Sequence, residues 1–194
     1  MSDSDLHAIV LAGGASTRFG SPKQLIRLHG RPLLHTIVAR ASEIAGQSVS
    51  VVLGANASEL SPLLRHSPAS LVINRGWQEG IASSIRAAVA RLPPSCEGAL
   101  LMLIDQPAVT AADLQRLVAA WRRQPDAMAA AQFSSTVGAP AIFPRALFPA
   151  LLELRGDRGA QLLLQRHPDR VVRVPIEGAA LDVDTPEDLL QLGT

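Results

Sequence analysis

The sequence predicts an α/β fold in a single domain, a mostly parallel sheet covered by helices on both faces. Three observations predict it. Apolar, β-branched segments at residues 8–12, 49–53, 71–73 and 99–104 suit strands buried on both faces. Helical patterns separate them, at about residues 32–45, 58–65 and 81–92, and such alternation builds parallel sheets. A length of 194 residues is that of one domain, able to bury about 70% of its unfolded surface.

Taken in order, the first strand ends in Gly13-Gly14, where the lack of a Cβ permits a sharp turn and a close approach to a ligand. The segment 99–104 ends at Asp105-Gln106-Pro107, whose proline breaks the ladder. A helix over 111–123 follows, with Thr110 as N-cap and Asp113 three residues on, a capping box. After Gln124-Pro125 the texture changes to short segments at 127–133 and 139–143, helices near 145–154 and 160–166, and a strand at 171–174. The Ala-rich run at 127–131 is ambiguous by periodicity and reads as a strand. No linker, repeat or low-complexity tract divides the chain, so this second part reads as a small C-terminal cap within the same domain.

Composition excludes several classes. A net charge of +1 gives no bulk case for nucleic acid or a membrane surface, and scarce aromatics with no Tyr argue against a base-stacking platform. One cysteine, Cys96, excludes an internal disulfide and a thiolate zinc cluster. The five histidines show no ligand spacing. The acidic, polar start, Met1-Ser2-Asp3-Ser4-Asp5, is unlike a signal peptide, and no apolar run reaches membrane length. The expectation is a cytoplasmic protein.

Four motifs carry the chemistry. In the first, Leu11-Ala12-Gly13-Gly14 leads to Arg18 and Lys23, two cations on a loop with free amides, which makes a polyphosphate cradle. It is neither a Walker A loop nor the Gly-x-Gly-x-x-Gly of a dinucleotide fold. In the second, Asp105 ends a buried strand at the carboxyl edge of the sheet, where open α/β folds bind ligands, and its hard oxygen suits magnesium. In the third, Asp182 and Asp184 lie two apart and share one face if extended, so that they would complete a metal site with Asp105. Thr185-Pro186-Glu187-Asp188 after them is helix-start grammar. In the fourth, Asn74 to Arg86 follows the strand at 71–73, with Gly80 giving backbone access and Ser83 and Ser84 opening a helix whose donors suit a base or ribose.

The pattern Gly13-Gly14-x-Ser16-x-Arg18-x-Gly20-x-x-Lys23 resembles the molybdenum cofactor nucleotidyltransferase family, MobA-like NTP transferases, from about Ala8 to Leu190. The segments Ser21-Pro22-Lys23-Gln24-Leu25 and Asn74-x-x-Trp77-x-x-Gly80-x-x-Ser83-Ser84 are closer to its cytidylyltransferase branch. So are Gly138-Ala139-Pro140 and Gly156-Asp157-Arg158-Gly159. Two positions depart. Gly13 stands where cytidylyl enzymes tend to carry alanine, which leaves room for a purine, and Ile104 stands where the family carries glycine before Asp105.

The resemblance implies a Rossmann-like, GT-A-like three-layer αβα domain over residues 1–194, with a nucleotide-binding half of about 1–110 and an acceptor-binding half of about 111–194. It implies transfer of a nucleotidyl group, from CTP by preference, to the phosphate of a pterin-type acceptor, with release of pyrophosphate. Arg18, Lys23 and Asp105 would be catalytic. Leu11, Ala12, Gly13, Gly14, Arg18, Lys23, Asn74, Gly80, Ser83 and Ser84 would bind nucleotide. Asp105 with Asp182 or Asp184 would hold Mg2+, and Gly138, Pro140, Gly156, Asp157 and Gly159 would meet the acceptor. A molybdenum hydroxylase or its chaperone is the implied partner. A guanylyltransferase, an enzyme with another phosphate acceptor and a non-catalytic accessory protein stay open.

Overall fold

The computed structural model of the chain describes residues 5–16, 19–185 and 188. The first strand, β1 (Leu6–Ala12), is buried along almost its whole length. A turn at Lys23–Leu25 and a two-residue hairpin, β2 (Arg27–Leu28) with β3 (Arg31–Pro32), lead into α1 (Leu33–Ala45). Then come β4 (Val49–Leu53), α2 (Ala57–Leu60), β5 (Ser70–Ile73), α3 (Ile81–Val89) and β6 (Gly98–Leu103). The chain continues through α4 (Ala111–Arg123), β7 (Met128–Phe133), β8 (Thr136–Pro144), α5 (Phe148–Leu152), α6 (Gln161–Arg166) and β9 (Val171–Pro175).

Seven strands among the described residues form one sheet in the order β5-β4-β1-β6-β8-β7-β9. All neighbours are parallel except β8, which runs antiparallel to both β6 and β7. The C-terminal third therefore contributes three strands to the central sheet, together with helices over one face. The Ala-rich segment is a strand, and alanine suits it because both of its faces are covered.

Alternation along the strands divides the core into two layers. Ala8, Val10, Val51, Leu100 and Met102 point to the face covered by α1, α2 and α4. Ile9, Leu11, Val52, Leu101 and Phe143 point to the face covered by α3, α5 and α6. The order explains where the helices lie. From β1 the sheet grows outward through β4 to β5 with α1 and α2 on one face, and the return to β6 carries α3 on the other, as right-handed connections require. This reversal makes a switch point between β1 and β6, and the crevice at their carboxyl ends holds both the glycine loop and Asp105.

The predicted cap of α4 is present: Thr110 Oγ1 accepts from the Asp113 amide at 3.1 Å, and the Asp113 carboxylate accepts from the Thr110 amide at 2.9 Å. The predicted helix at 81–92 ends at Val89, and two others are partly 3-10 turn. The pattern at 58–65 becomes α2 and a tighter 3-10 turn at Ser61–Leu64, because Pro62 lacks the amide a continued α-helix needs. The one at 145–154 starts as a 3-10 turn before α5, with Pro149 in its first turn. The helix start expected at Thr185 falls largely outside the described residues, though the Asp188 carboxylate accepts from the amides of Asp184 and Thr185 at 2.9 and 2.8 Å. Among the described residues no helix is long and apolar enough to cross a membrane.

Candidate active site

The glycine loop is tied back onto its own strand. Buried Gln24 donates its Nε2 to the Ala12 carbonyl at 2.7 Å and to that of Gly14 at 3.4 Å. Ser16 adopts a left-handed φ of 54°, and its Oγ accepts from the Lys23 amide at 3.2 Å. Gly13 lies against the start of the next crossover, where its carbonyl accepts from the Ala55 amide at 3.2 Å. Gly54 makes that approach possible: a Cβ there would collide with the Gly13 carbonyl and come 2.6 Å from the Trp77 Cβ.

Lys23, only 9% exposed, reaches from this loop across the crevice. Its Nζ donates to Asp105 Oδ2 at 2.9 Å, to Asp184 Oδ1 at 3.0 Å and to the Val183 carbonyl at 3.3 Å. Burial by itself would lower the Lys23 pKa, but the charges and hydrogen bonds of Asp105 and Asp184 outweigh it and hold the ammonium above its ordinary value. The Val183 amide donates to the Asp105 carbonyl at 2.8 Å, which fixes the Asp182–Asp184 segment against the end of β6. Burial, followed by the negative charge of Asp105, raises the Asp182 carboxyl above the usual carboxylate range.

The opposite wall starts after β5. Buried Asn74 donates to Ser83 Oγ at 2.8 Å and Ser84 Oγ at 3.0 Å, and Ser83 Oγ donates to the Gly80 carbonyl at 2.8 Å. Gly80 has φ +109°; a Cβ there would strike the Asp157 carboxylate and come 2.7 Å from the Gly156 carbonyl. The Gly156–Asp157 turn is thus packed onto the head of α3. Arg86 strengthens that contact by pairing with both carboxylate oxygens of Glu79 at 2.8 and 2.6 Å and donating to the Leu154 carbonyl at 2.6 Å.

Between these walls lies a cavity of about 510 Å³. Of the residues predicted from sequence, Leu11, Gly13, Gly14, Lys23, Gly80, Ser84, Asp105 and Asp184 line it. Ala12, Asn74 and Ser83 do not, because their polar groups are spent on holding the wall. Arg18 lies outside the described residues.

A second cavity of about 330 Å³ adjoins the first and is lined by Gly138, Asp157 and Gly159 of the predicted acceptor set. Gly156 sits behind its turn, and its carbonyl accepts from the Ala82 amide at 3.1 Å. Pro140 faces elsewhere: alternation along β8 turns Ala139 and Ala141 to this cavity and Pro140 to the α1 side, beside Ile37 and Val109. Ile104 causes no strain where glycine was expected, since it is buried in the core with no positive φ.

The three carboxylates do not close into one ready-made cluster. Asp105 and Asp184 face the first cavity and Asp182 the second, and the Lys23 ammonium stands between the first two. Among the described residues no group of three or more His, Cys, Asp or Glu side chains is arranged to hold a metal ion. The pair still fits a divalent cation chemically. Its donors are hard oxygens, and Asp105 Oδ1 is buried without a hydrogen-bond partner.

Sequence reasoning did not foresee the roles of Gln24 and Gly54, nor that Gln106 would donate its Nε2 to the Ala179 carbonyl at 3.0 Å. Gln24 appeared only as a matching letter of the loop motif, and Gly54 had one signal, a glycine directly after a strand.

A glycine loop and a lysine–carboxylate cluster at the switch point define a class of α/β protein whose crevice has the chemistry to take a phosphorylated ligand. The chain belongs to a known family of that class: the model of the MobA-like NTP transferase domain matches residues 8–171. Nicotine blue oxidoreductase of Paenarthrobacter nicotinovorans is 31% identical over 207 aligned residues, 99% of this chain and 100% of the relative. A probable molybdenum cofactor guanylyltransferase of Nostoc sp. is 30% identical over 95% of this chain and 89% of its own. The crystal structure of Rv0371c from Mycobacterium tuberculosis in complex with manganese matches with a TM-score of 0.82 at 28% identity, covering 98% of both chains.

Proposed function

We propose that this chain transfers a nucleotidyl group from a nucleoside triphosphate, with CTP preferred, to the phosphate of a pterin-type acceptor, releasing pyrophosphate. The observation that carries the reading is the meeting of Lys23 with Asp105 and Asp184 at the mouth of the glycine-loop cavity. In this reaction an acceptor phosphate oxygen attacks the α-phosphorus and the bond to the pyrophosphate oxygen breaks. Both nucleophile and leaving group are anionic, so the protein's task is charge neutralisation and alignment, and an ionised phosphate needs no general base.

In this reading the amides of Gly13 and Gly14 and the Lys23 ammonium hold the triphosphate, with Arg18 adding a second cation. Lys23 exchanges its carboxylate partners for phosphate oxygens when the nucleotide enters. Asp105 and Asp184 would hold magnesium or another divalent ion, which supplies charge neutralisation across the phosphates when bound, while Asp182 is turned to the second cavity. The nucleotide belongs to the half up to about residue 110 and the acceptor to the half beyond it. The manganese in the Rv0371c structure is consistent with a divalent requirement.

Base choice has a specific counter-observation. A Cβ at Gly13 would come 3.0 Å from Ser84 Oγ, so the loop and the Asn74–Ser84 wall are matched to a glycine. The missing methyl, together with the guanylyltransferase name of the Nostoc relative, favours GTP as the second reading. A third keeps the fold without turnover, as an accessory to a molybdenum hydroxylase; the oxidoreductase name of the Paenarthrobacter relative is the reason to keep it. Thermal shift with CTP and GTP at matched magnesium separates the first two, since the tighter nucleotide raises stability more. The expected result is a larger shift with CTP, and a larger shift with GTP reverses the assignment. Pyrophosphate release with a phosphorylated pterin acceptor separates the enzyme from the accessory protein.

A further inference from the structure

Trp77 is half-buried and lines the glycine-loop cavity, where it is the one aromatic side chain among the described residues. It packs in neither of the two hydrophobic layers of the core. Trp121 on α4, the other tryptophan, is by contrast 3% exposed in one of those layers, with Nε1 donating to the Pro125 carbonyl at 3.2 Å. Trp77 opens a 3-10 turn, Trp77–Glu79, whose two ends are fixed. Before the turn, Asn74 Oδ1 accepts from the Gly76 amide at 2.9 Å, and after it the Gly80 amide donates to the Trp77 carbonyl at 3.1 Å. The same Asn74 side chain holds Ser83 and Ser84, so the turn and α3 form one wall. A Cβ on Gly54 would meet both Trp77 and the Gly13 carbonyl, which places Trp77 beside the glycine loop at the end of β4.

Strands β4, β1 and β6 are neighbours in that order. Trp77 at the end of β4 and Asp105 past the end of β6 therefore stand two strand spacings apart, about 10 Å, with the glycine loop between them. A triphosphate held by the loop and Lys23 leaves its base on the Trp77 side. We infer that Trp77 is the stacking face for the nucleobase. Stacking needs only a π-face, which every base has, so Trp77 holds the base without choosing it. The choice between cytosine and guanine stays with Gly13 and Ser84. One aromatic makes no platform for a strand of nucleic acid, but a single nucleotide needs only one. The inference rests on the nucleotidyl-transfer reading, which supplies the nucleoside triphosphate.

The test is a fluorescence titration of the full chain with CTP, GTP and inorganic triphosphate, each with magnesium. With Trp121 buried in the core, a change in emission reports on Trp77. CTP and GTP are expected to quench it, and inorganic triphosphate, which has no base, to leave it nearly unchanged. Calorimetry on two variants separates stacking from a structural role. Trp77→Phe keeps a π-face and should hold CTP within about threefold of wild type, whereas Trp77→Leu should lose about tenfold or more. Both should bind inorganic triphosphate as wild type does. Wild-type CTP affinity in Trp77→Leu overturns the inference, and so does an equal loss of CTP and triphosphate in a folded variant. Nucleotide binding without quenching overturns it too. The wild-type quench and the Trp77→Phe affinity decide the matter even if Trp77→Leu does not fold. A wild type that CTP quenches, yet that releases no pyrophosphate with a phosphorylated pterin, supports stacking and counts against transfer alone, so the two failures are distinguishable.

Discussion

Lys23 joins parts of the chain 82 and 161 residues apart, and its three hydrogen bonds bring the glycine loop, the end of β6 and the C-terminal segment into one cluster. Its removal should show chiefly in turnover. Lys23→Ala is expected to cost roughly 2–4 kcal/mol of transition-state stabilisation, the worth of one preorganised charge contact. Steady-state pyrophosphate release checks it, and turnover within about threefold of wild type would take Lys23 out of the chemistry. Lys23, Asp105 and Gly13 were legible in the sequence because a ligand loop needs its residue types close together, directly after a strand. Gln24 and Gly54 were not, because their partners, the Ala12 carbonyl and the Trp77 side chain, are set by how the chain returns on itself.

At the scale of elements, α3 does double duty. Its first turn forms the wall of the glycine-loop cavity through Ser84, and its head receives the Gly156–Asp157 turn from the far end of the chain. Gly80 carries that junction, with a left-handed φ and no room for a methyl group. Gly80→Ala should therefore destabilise the fold by about 1–3 kcal/mol from backbone strain alone, and more if the turn is displaced. It should weaken nucleotide binding as well. Urea unfolding beside nucleotide thermal shift measures both, and a variant as stable as wild type would mean that the junction yields easily. The sequence shows a glycine before a helix, but not that another turn lies across it.

Across the whole molecule, pH should act through groups that folding buries. His7 on β1 shares a 2.8 Å hydrogen bond with Ser50 Oγ on β4, and burial lowers its pKa below the ordinary histidine value. The unfolded chain then binds more protons than the native one as pH falls through about 6.5, so this stability is present above that pH and is lost below it. Urea unfolding at about pH 7.5 and 5.5 should show wild type losing more stability than His7→Gln, which does not titrate. Equal losses would show that His7 is not the group responsible.

The sequence by itself determined the seven strands of the central sheet, most helices, the α4 cap, the glycine loop and its facing carboxylate, but not the β2–β3 hairpin. Each of these is written in contiguous residues: apolar runs that must be covered on both faces, a Thr–Asp capping pair, and two glycines where the backbone must turn. Only the tertiary structure decided that the C-terminal strands continue the central sheet and that Asp182 and Asp184 open onto different cavities. It also decided that Pro140 faces away from the cavity lined by Gly138 and Gly159 and that this cavity adjoins the glycine-loop cavity. Those outcomes depend on strand order and on which face each residue takes after pairing, and the free energy that selects them comes from contacts between segments far apart in the chain.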